Sequence, residues 1–184
     1  MSPLVLVGVE DGSFEAFKPE KSTLLCTVCV VGNRVEWVRL GSVAVDGREA
    51  TGVLLRLLRG AKFDALILGG VSFAGFDVVD PNELHEALGV PVIVYSPERP
   101  DSASTLAALR ANFPDWEGRW APIERLGEVY SVVTKAGSPP VFFEVAGCTK
   151  EYAEGVLRES ASLTRAPEPV RVAGLIARGL TRSA

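Results

Sequence analysis

Residues 4–12, with the sequence LVLVGVEDG, place two acidic residues and a glycine directly after a short continuous apolar run. An uninterrupted run such as Leu4–Val9 is typical of a β-strand that is covered on both faces. Acidic side chains at the end of a buried strand are costly to desolvate unless they are paired or bind a cation. The turn Glu10-Asp11-Gly12 is therefore the first candidate functional feature, although Asp is also common in ordinary turns.

Two further β-rich segments follow this first strand. Leu24–Val31 and Val35–Val45 flank Gly32-Asn33, a two-residue turn of the kind that closes β-hairpins. The first third of the chain is therefore predicted to form three strands in an antiparallel meander.

Helices and strands alternate in the rest of the chain. Apolar spacing and end signals predict helices at Ala50–Arg59, Pro81–Leu88, Ser102–Phe113, from about Thr149, and at Val170–Ala177. Buried strands are predicted at Ala65–Leu68, Pro91–Tyr95, Val129–Thr134 and Val141–Val145. Strands separated by a helix are almost always parallel.

This order of elements is that of the ribonuclease H-like fold, although another mixed α/β sheet could produce it. The predicted fold is thus a mixed sheet in which a three-strand antiparallel meander is followed by parallel strands, with helices on both faces. Since the 184 residues show no repeat and no convincing interdomain linker, we expect residues 1–184 to form a single domain.

The charge balance limits the choice of partners. The chain has 19 Lys and Arg against 23 Asp and Glu, a net charge of −4, so it has no overall basic field that would attract nucleic acid. Residues 150–184 hold six Lys or Arg against four Glu, which is a weakly basic segment in an acidic protein. Because the longest apolar runs are of strand length and no signal peptide opens the chain, we expect a cytoplasmic protein with no membrane association.

Cysteine and histidine do not form a recognisable site. Cys26 and Cys29 have CxxC spacing, but residues three apart on a strand point to opposite faces, so buried structural thiols are expected. The single histidine, His85, lies in a polar helix and excludes a His-rich zinc site. No Ser–His arrangement, P-loop or dinucleotide-binding motif is evident.

Two more acidic groups lie near the ends of predicted strands. Asp46 ends the third strand, and Glu49 lies near the first turn of the next helix, where the helix dipole favours a carboxylate. Asp77 and Asp80 follow the strand that ends at Leu68. Asp80 has a structural role as the predicted N-cap of the helix from Pro81, whereas Asp77 has no such evident role.

These three acidic groups could converge on one edge of the sheet. Carboxylates of this kind suit Mg²⁺ or Mn²⁺, which keep water molecules for a phosphate substrate. The expected metal ligands are the carboxylates of Glu10, Asp11, Asp46, Glu49 and Asp77. Glu10, Asp11 and Asp46 are the expected catalytic residues. Apart from Asp77, these acids also have a simpler interpretation as turn or helix-start residues.

The same segments resemble a known family, the archaeal domain-of-unknown-function family ninety-nine, which is related to endonuclease V. The resemblance covers nearly the whole chain and rests on Gly8-Val9-Glu10-Asp11-Gly12, Val45–Thr51, Gly75–Asp80, Pro91–Val94 and Pro167–Ala173. It implies the ribonuclease H-like fold. Endonuclease V enzymes cut DNA or RNA near deaminated bases and use carboxylates that hold Mg²⁺.

The resemblance also implies which residues stand where endonuclease V has its site. The first-strand aspartate of that family corresponds to Glu10, and its second carboxylate to Asp46 or Glu49. Its third carboxylate follows the strand that here ends in Leu68-Gly69-Gly70, where there is no acid. Asp77 could replace it only if the loop folds back.

The histidine near the C-terminal end of endonuclease V corresponds to Gly174. These departures leave two functional hypotheses. One is a Mg²⁺- or Mn²⁺-dependent nuclease or related phosphoryl-transfer enzyme acting on DNA or RNA. The other is a non-catalytic ribonuclease H-like module that binds nucleic acid or a protein partner. A site for a small phosphate ester is a third, weaker alternative.

Overall fold

The computed structural model describes residues 3–182, and its centre is a seven-stranded sheet in the order β3-β2-β1-β4-β7-β9-β8. The one-domain prediction extends beyond these residues at both ends. The strands are β1 Val5–Asp11, β2 Ser22–Val31, β3 Arg34–Ala44, β4 Ala65–Leu68, β5 Ser72–Phe73, β6 Asp77–Val78, β7 Val92–Ser96, β8 Tyr130–Val132 and β9 Val141–Ala146. The helices are α1 Ala50–Leu58, α2 Pro81–Leu88, α3 Ser102–Asn112, α4 Trp116–Leu126, α5 Lys150–Ser160 and α6 Glu168–Thr181.

The pairing of the strands confirms the predicted architecture. β1, β2 and β3 form an antiparallel meander, in which Glu10 pairs with Cys26. β4 runs parallel to β1, with Leu68 beside Val9, and β7 runs parallel to β4. β9 returns antiparallel to β7. The carboxyl ends of β1, β4 and β7 therefore meet at one edge of the sheet, as in the predicted ribonuclease H-like fold.

Helices cover both faces of the sheet, as predicted. On one face, Val7 and Val9 pack in a core that includes Val53 of α1, Leu84 of α2 and Leu126 of α4. On the other face, Leu6, Ile67 and Ile93 pack against α5 and α6, through residues such as Leu157 and Val170. Alternate residues of β1 thus enter opposite cores, which explains why the strand is apolar on both faces from Val5 to Val9.

The two cysteines of β2 follow the same alternation. Cys29 is buried in the core that faces α1, and Cys26 is buried under α6. Neither forms a disulfide, and burial raises the pKa of both thiols. Their CxxC spacing therefore reflects two strand faces rather than one shared site.

Helix α4 was not predicted from the sequence. It contains Gly118 and Pro122, residues that disfavour a helix in isolation, and its position is fixed by tertiary contacts of Arg119, Ile123 and Leu126. The short hairpin formed by β5 and β6, between β4 and α2, was not predicted either. Within residues 3–182, no helix is long and apolar enough to cross a lipid bilayer.

Candidate active site at the end of the central strand

Glu10 lies at the carboxyl end of β1, directly beside Gly69. Val9 pairs with Leu68, so the next residues along the two parallel strands, Glu10 and Gly69, are also neighbours. A Cβ atom added to Gly69 would overlap Oε1 of Glu10, because the Glu10 side chain lies across the space over the Gly69 backbone. The Glu10 side chain can therefore take this position because residue 69 has no side chain.

Burial and like charge make this carboxylate unusual. Glu10 is largely shielded from solvent, and its burial, together with the negative charge of Asp11, raises its pKa from 4.5 to about 7. The backbone N–H of Asp11 donates to Oε2 of Glu10 at 3.3 Å, and the charge of Arg178 also favours the ionised form. Glu10 therefore titrates near neutral pH, where a cation or a proton can neutralise it.

Asp11 points toward the hairpin that follows β4. Its Oδ2 accepts a 2.6 Å hydrogen bond from the backbone N–H of Ala74. Burial raises the pKa of Asp11, while this hydrogen bond and the charge of Arg178 oppose the shift. Glu10 and Asp11 consequently form a pair of partly desolvated carboxylates at the edge where the parallel strands end.

Arg178 supplies positive charge to this pair from α6. A Cβ atom added to Gly174 would lie 2.6 Å from Nη2 of Arg178, so the guanidinium lies over the glycine. Gly174 is the position that the resemblance aligned with a histidine of endonuclease V. In this chain the space beside Gly174 is occupied by Arg178, which follows one helical turn later.

Tyr95 completes the neighbourhood of Glu10 on the same face. It follows Val94, the partner of Leu68, and is therefore beside Gly69 in the sheet. Its ring is 5% exposed, and burial raises its pKa, with the charge of Arg165 opposing this shift and that of Glu10 adding to it. Sequence reasoning did not select Tyr95, since it lies inside an apolar strand.

Asp46 is placed close to this edge but is engaged with backbone groups. Its Oδ2 accepts from the N–H of Phe17 and its Oδ1 from the N–H of Phe76, each at 2.9 Å. Its own N–H donates to the carbonyl of Ala74 at 2.8 Å. Asp46 is 8% exposed and holds the β1–β2 connection against the hairpin after β4. Its assignment as a catalytic ligand stays a prediction.

Glu49 and Asp77 also have backbone partners. Oε1 of Glu49 accepts from the N–H of Ala44 at 2.7 Å. Asp77 is fully buried, and its Oδ2 accepts from the N–H groups of Glu49 and Ala50, both at 3.1 Å. Asp77 therefore caps α1 from a distant part of the chain, a structural role that the sequence did not reveal. As metal ligands, both residues remain predictions.

An Asp77→Ala substitution is expected to destabilise the protein by about 2 kcal/mol, because it leaves two N–H groups at the start of α1 without an acceptor. Urea unfolding followed by circular dichroism measures the change. The exposed Glu124→Ala on α4 is the control and should change stability by no more than about 0.5 kcal/mol. Equal stability of the two variants would show that Asp77 does not act as a cap.

Together the carboxylates do not form a complete metal site from protein groups alone. In the part of the chain that the structure describes, no three His, Cys, Asp or Glu side chains come close enough to share a metal ion. Glu10, Asp11 and Glu49 each keep one side-chain oxygen, Oε1, Oδ1 and Oε2, that carries no hydrogen bond among residues 3–182, and Glu10 and Asp11 are the two of them that lie side by side at the end of β1.

Glu144 is a buried acid that sequence reasoning missed. It lies on β9, next to the edge strand β8, where it pairs with Val94 of β7; it is 6% exposed and accepts no hydrogen bond from residues 3–182. Burial raises its pKa from 4.5 to about 7. It lines a cavity of about 60 Å³ with Ser96 and Thr105. The signal was present, since Glu144 is the one acid inside the predicted apolar strand Val141–Val145.

Glu144→Gln is expected to stabilise the protein at alkaline pH. The pKa of Glu144 is higher in the fold than in the unfolded chain, so the group's stabilising contribution is complete below about pH 4.5 and is lost as pH rises through about 7. The variant should therefore match the wild type near pH 4.5 and exceed it by on the order of 2 kcal/mol at pH 8. Urea unfolding between pH 5 and 8 measures this difference, with Glu124→Gln as the exposed control. A pH-independent difference would contradict it.

Comparisons with known proteins identify the family of this chain. A family model described as endonuclease dU matches residues 4–181. A UPF0215 protein of Methanothermobacter thermautotrophicus is 34% identical, covering 98% of this chain and 89% of its own. The crystal structure of an Archaeoglobus fulgidus protein of unknown function aligns with a TM-score of 0.86 at 25% identity, over 98% of this chain and 99% of that one.

A more distant structural likeness confirms the fold. Endonuclease V of Ciona intestinalis, solved with a 23mer DNA containing an inosine, aligns with a TM-score of 0.66 at 13% identity. The alignment covers 97% of this chain and 85% of that one. The fold is therefore endonuclease V-like and ribonuclease H-like, as predicted.

Proposed function

This chain belongs to the endonuclease dU family, and from that premise we propose that it is a metal-dependent endonuclease that cleaves DNA beside a deaminated base. The family's description makes deoxyuridine the first base to test. The observation that carries the proposal is the Glu10 carboxylate, half-buried at the end of the central strand and placed over Gly69 beside Asp11. It offers negative charge at the edge where the parallel strands end.

The donor set suits Mg²⁺ or Mn²⁺. Mg²⁺ is usually bound through one or two carboxylates, with the remaining positions filled by water and substrate phosphate oxygens. Glu10 and Asp11 supply two carboxylates, each with one oxygen free of hydrogen bonds among residues 3–182. When bound there, the ion would neutralise charge on the phosphodiester and activate a water molecule.

The protein's own residues have separable roles in this proposal. Glu10 and Asp11 hold the metal, and the raised pKa of Glu10 makes its affinity for a cation sensitive to pH near neutrality. Arg178, exposed on α6 beside the two acids, orients a substrate phosphate through its guanidinium. The carboxylates of Asp46, Glu49 and Asp77 accept hydrogen bonds from backbone N–H groups and so hold the surrounding segments in place.

One observation favours a second candidate function. The position at which the resemblance expects a third carboxylate is Gly69, and Glu10 fills its space. A site with fewer acids could bind nucleic acid without cutting it, and the alternative is therefore a non-catalytic module for nucleic acid or a protein partner. Arg178 and the other basic residues of the C-terminal segment would then supply the phosphate contacts.

The experiment that separates these functions uses one labelled duplex with a single deoxyuridine and a matched duplex with thymidine. With Mg²⁺ or Mn²⁺ we expect a nick near the deoxyuridine, no nick in the thymidine duplex, and no product in EDTA. Inosine and uridine substrates then define the range of bases. Salt-sensitive retention of DNA without any nick in either metal would overturn the nuclease proposal and support the binding module.

A further inference from the structure

A second cavity lies next to the candidate active site and is lined by aromatic side chains. It has a volume of about 460 Å³ and lies between the β1–β2 connection and the segment that joins α3 to α4. Phe17 and Phe113 form its walls, together with Asn112, Pro114, Asp46 and Arg119. We call it the aromatic cavity. Its size falls in the range of small-molecule binding sites.

Phe17 lies at this cavity with an exposed ring and an unfavourable backbone conformation. Its ring is 55% exposed, which is unusual for a large apolar side chain, and its φ of 58° lies in the left-handed region. The N–H of Phe17 donates to Oδ2 of Asp46 at 2.9 Å, and Asp46 itself has a φ of 55°. A strained, exposed phenylalanine that is fixed by a buried carboxylate indicates a functional surface rather than a core contact.

The exposed ring is the end of an aromatic series. The ring centroid of Phe17 lies 6.4 Å from that of Phe76, which lies 5.4 Å from that of Phe113. The guanidinium of Arg119 lies 4.3 Å from the centre of the Phe113 ring. Among residues 3–182, the Phe17 ring is therefore the exposed end of a series of tilted rings, and it offers a flat π-surface to a ligand.

The charges at the cavity select the kind of ligand. Asp46 and Asp115 bring two carboxylates to it against one guanidinium of Arg119, so a free anion such as phosphate is disfavoured. Nε and Nη1 of Arg119 are used by Asp115, Gly47 and Phe76, while Nη2 has no acceptor among residues 3–182. Nδ2 of Asn112 donates to Ala108, which leaves its Oδ1 as an acceptor. These groups match a neutral aromatic ring that carries both hydrogen-bond donors and hydrogen-bond acceptors.

The aromatic cavity is connected directly to the acidic pair. Ala74 donates its N–H to Oδ2 of Asp11 at 2.6 Å and accepts, through its carbonyl, the N–H of Asp46 at 2.8 Å. Ala74 thus links Asp46, which fixes Phe17, to Asp11, which lies beside Glu10. A nucleotide strand that crosses the acidic edge would place a neighbouring base at the cavity.

We propose that the aromatic cavity binds an unpaired nucleobase of the nucleic-acid strand by stacking it on Phe17, with Asp46 as the residue that positions the ring. This proposal rests on the proposed function, because it takes nucleic acid as the substrate. Stacking on an aromatic side chain is tolerant of base identity, so the cavity recognises single-stranded character rather than sequence.

The test is fluorescence of a single-stranded oligonucleotide that carries one 2-aminopurine, measured in EDTA so that no cleavage occurs. Binding of the wild type should quench the fluorescence by stacking. Phe17→Ala should lose the quenching and weaken binding by about 5- to 100-fold, whereas Phe17→Trp should keep both. Leu163→Ala, at an equally exposed apolar residue away from the cavity, is the control and should behave as the wild type.

Asp46→Asn gives a second test of the positioning role. It removes the charge that holds the N–H of Phe17 and should reduce quenching while the affinity falls less than in Phe17→Ala. Unchanged quenching and affinity in Phe17→Ala, or no quenching by the wild type, would overturn the proposal. Phe17-dependent quenching in a protein that does not nick DNA in any metal would uphold the base site and refute only the nuclease.

Discussion

Gly69→Ala is expected to reduce DNA cleavage by at least about 100-fold while the protein remains folded. The added Cβ atom would overlap Oε1 of Glu10, so the carboxylate must leave its place over the Gly69 backbone. Because the obstructed group is the end of a flexible side chain, the free energy of unfolding should change by no more than about 1 kcal/mol. Single-turnover cleavage of the deoxyuridine duplex and urea unfolding measure the two effects separately.

A shorter acid provides the matched rescue. In the double variant Glu10→Asp/Gly69→Ala, the carboxylate is one methylene closer to the backbone of β1 and no longer needs the space over residue 69. It should cleave about 10-fold faster than Gly69→Ala alone, and Gly155→Ala, where an added Cβ meets no other atom, should cleave as the wild type. Cleavage by Gly69→Ala at the wild-type rate would show that the position of Glu10 does not matter.

Gly8→Ala is expected to have the largest effect on stability, a loss of about 3 kcal/mol or more. Gly8 lies in the middle of β1, between Val28 of β2 and Ile67 of β4. An added Cβ would overlap backbone atoms of Pro169 and Val170, where α6 crosses the strand. Neither backbone can move aside, so α6 would have to separate from the sheet.

Gly179→Ala on the same helix is the control for this prediction. Nothing lies within 4 Å of an added Cβ there, so the variant should be as stable as the wild type or up to about 1 kcal/mol more stable, because alanine favours a helix. Urea unfolding of both variants checks the result. A Gly8→Ala protein with wild-type stability would mean that α6 does not pack on β1 as described.

Local patterns were sufficient to predict most of the sheet. β1 to β4 and β7 to β9 were predicted from apolar runs and turn residues, because strand residues in this fold are buried on one or both faces. The N-cap of α2 was predicted correctly as well. Oδ1 of Asp80 accepts from the N–H groups of Asn82 and Glu83, at 3.1 Å each, and Gly89 ends the helix in the left-handed region.

Contacts between distant parts of the chain could not be predicted in this way. Asp77 caps α1 by accepting hydrogen bonds from Glu49 and Ala50, which precede it in the chain by 28 and 27 positions. Nothing in the local sequence indicates this contact. The same holds for Glu10 over Gly69 and for the charge of Arg178 near Glu10 and Asp11, since each is visible only when the strands and α6 are assembled. The five predicted acids therefore divide, in the structure, into the half-buried pair Glu10 and Asp11 at the end of β1 and three carboxylates that lie elsewhere and accept hydrogen bonds from backbone N–H groups.

We propose that the Glu10 carboxylate makes this protein a nuclease, and the most direct test compares wild type with Glu10→Gln on the deoxyuridine duplex in Mn²⁺. Glutamine keeps the size of the side chain and removes its charge, so the site's shape over Gly69 is preserved. The wild type should nick the strand, and Glu10→Gln should be slower by at least about 100-fold, since it loses a direct metal ligand. Equal nicking by the two proteins would contradict the claim.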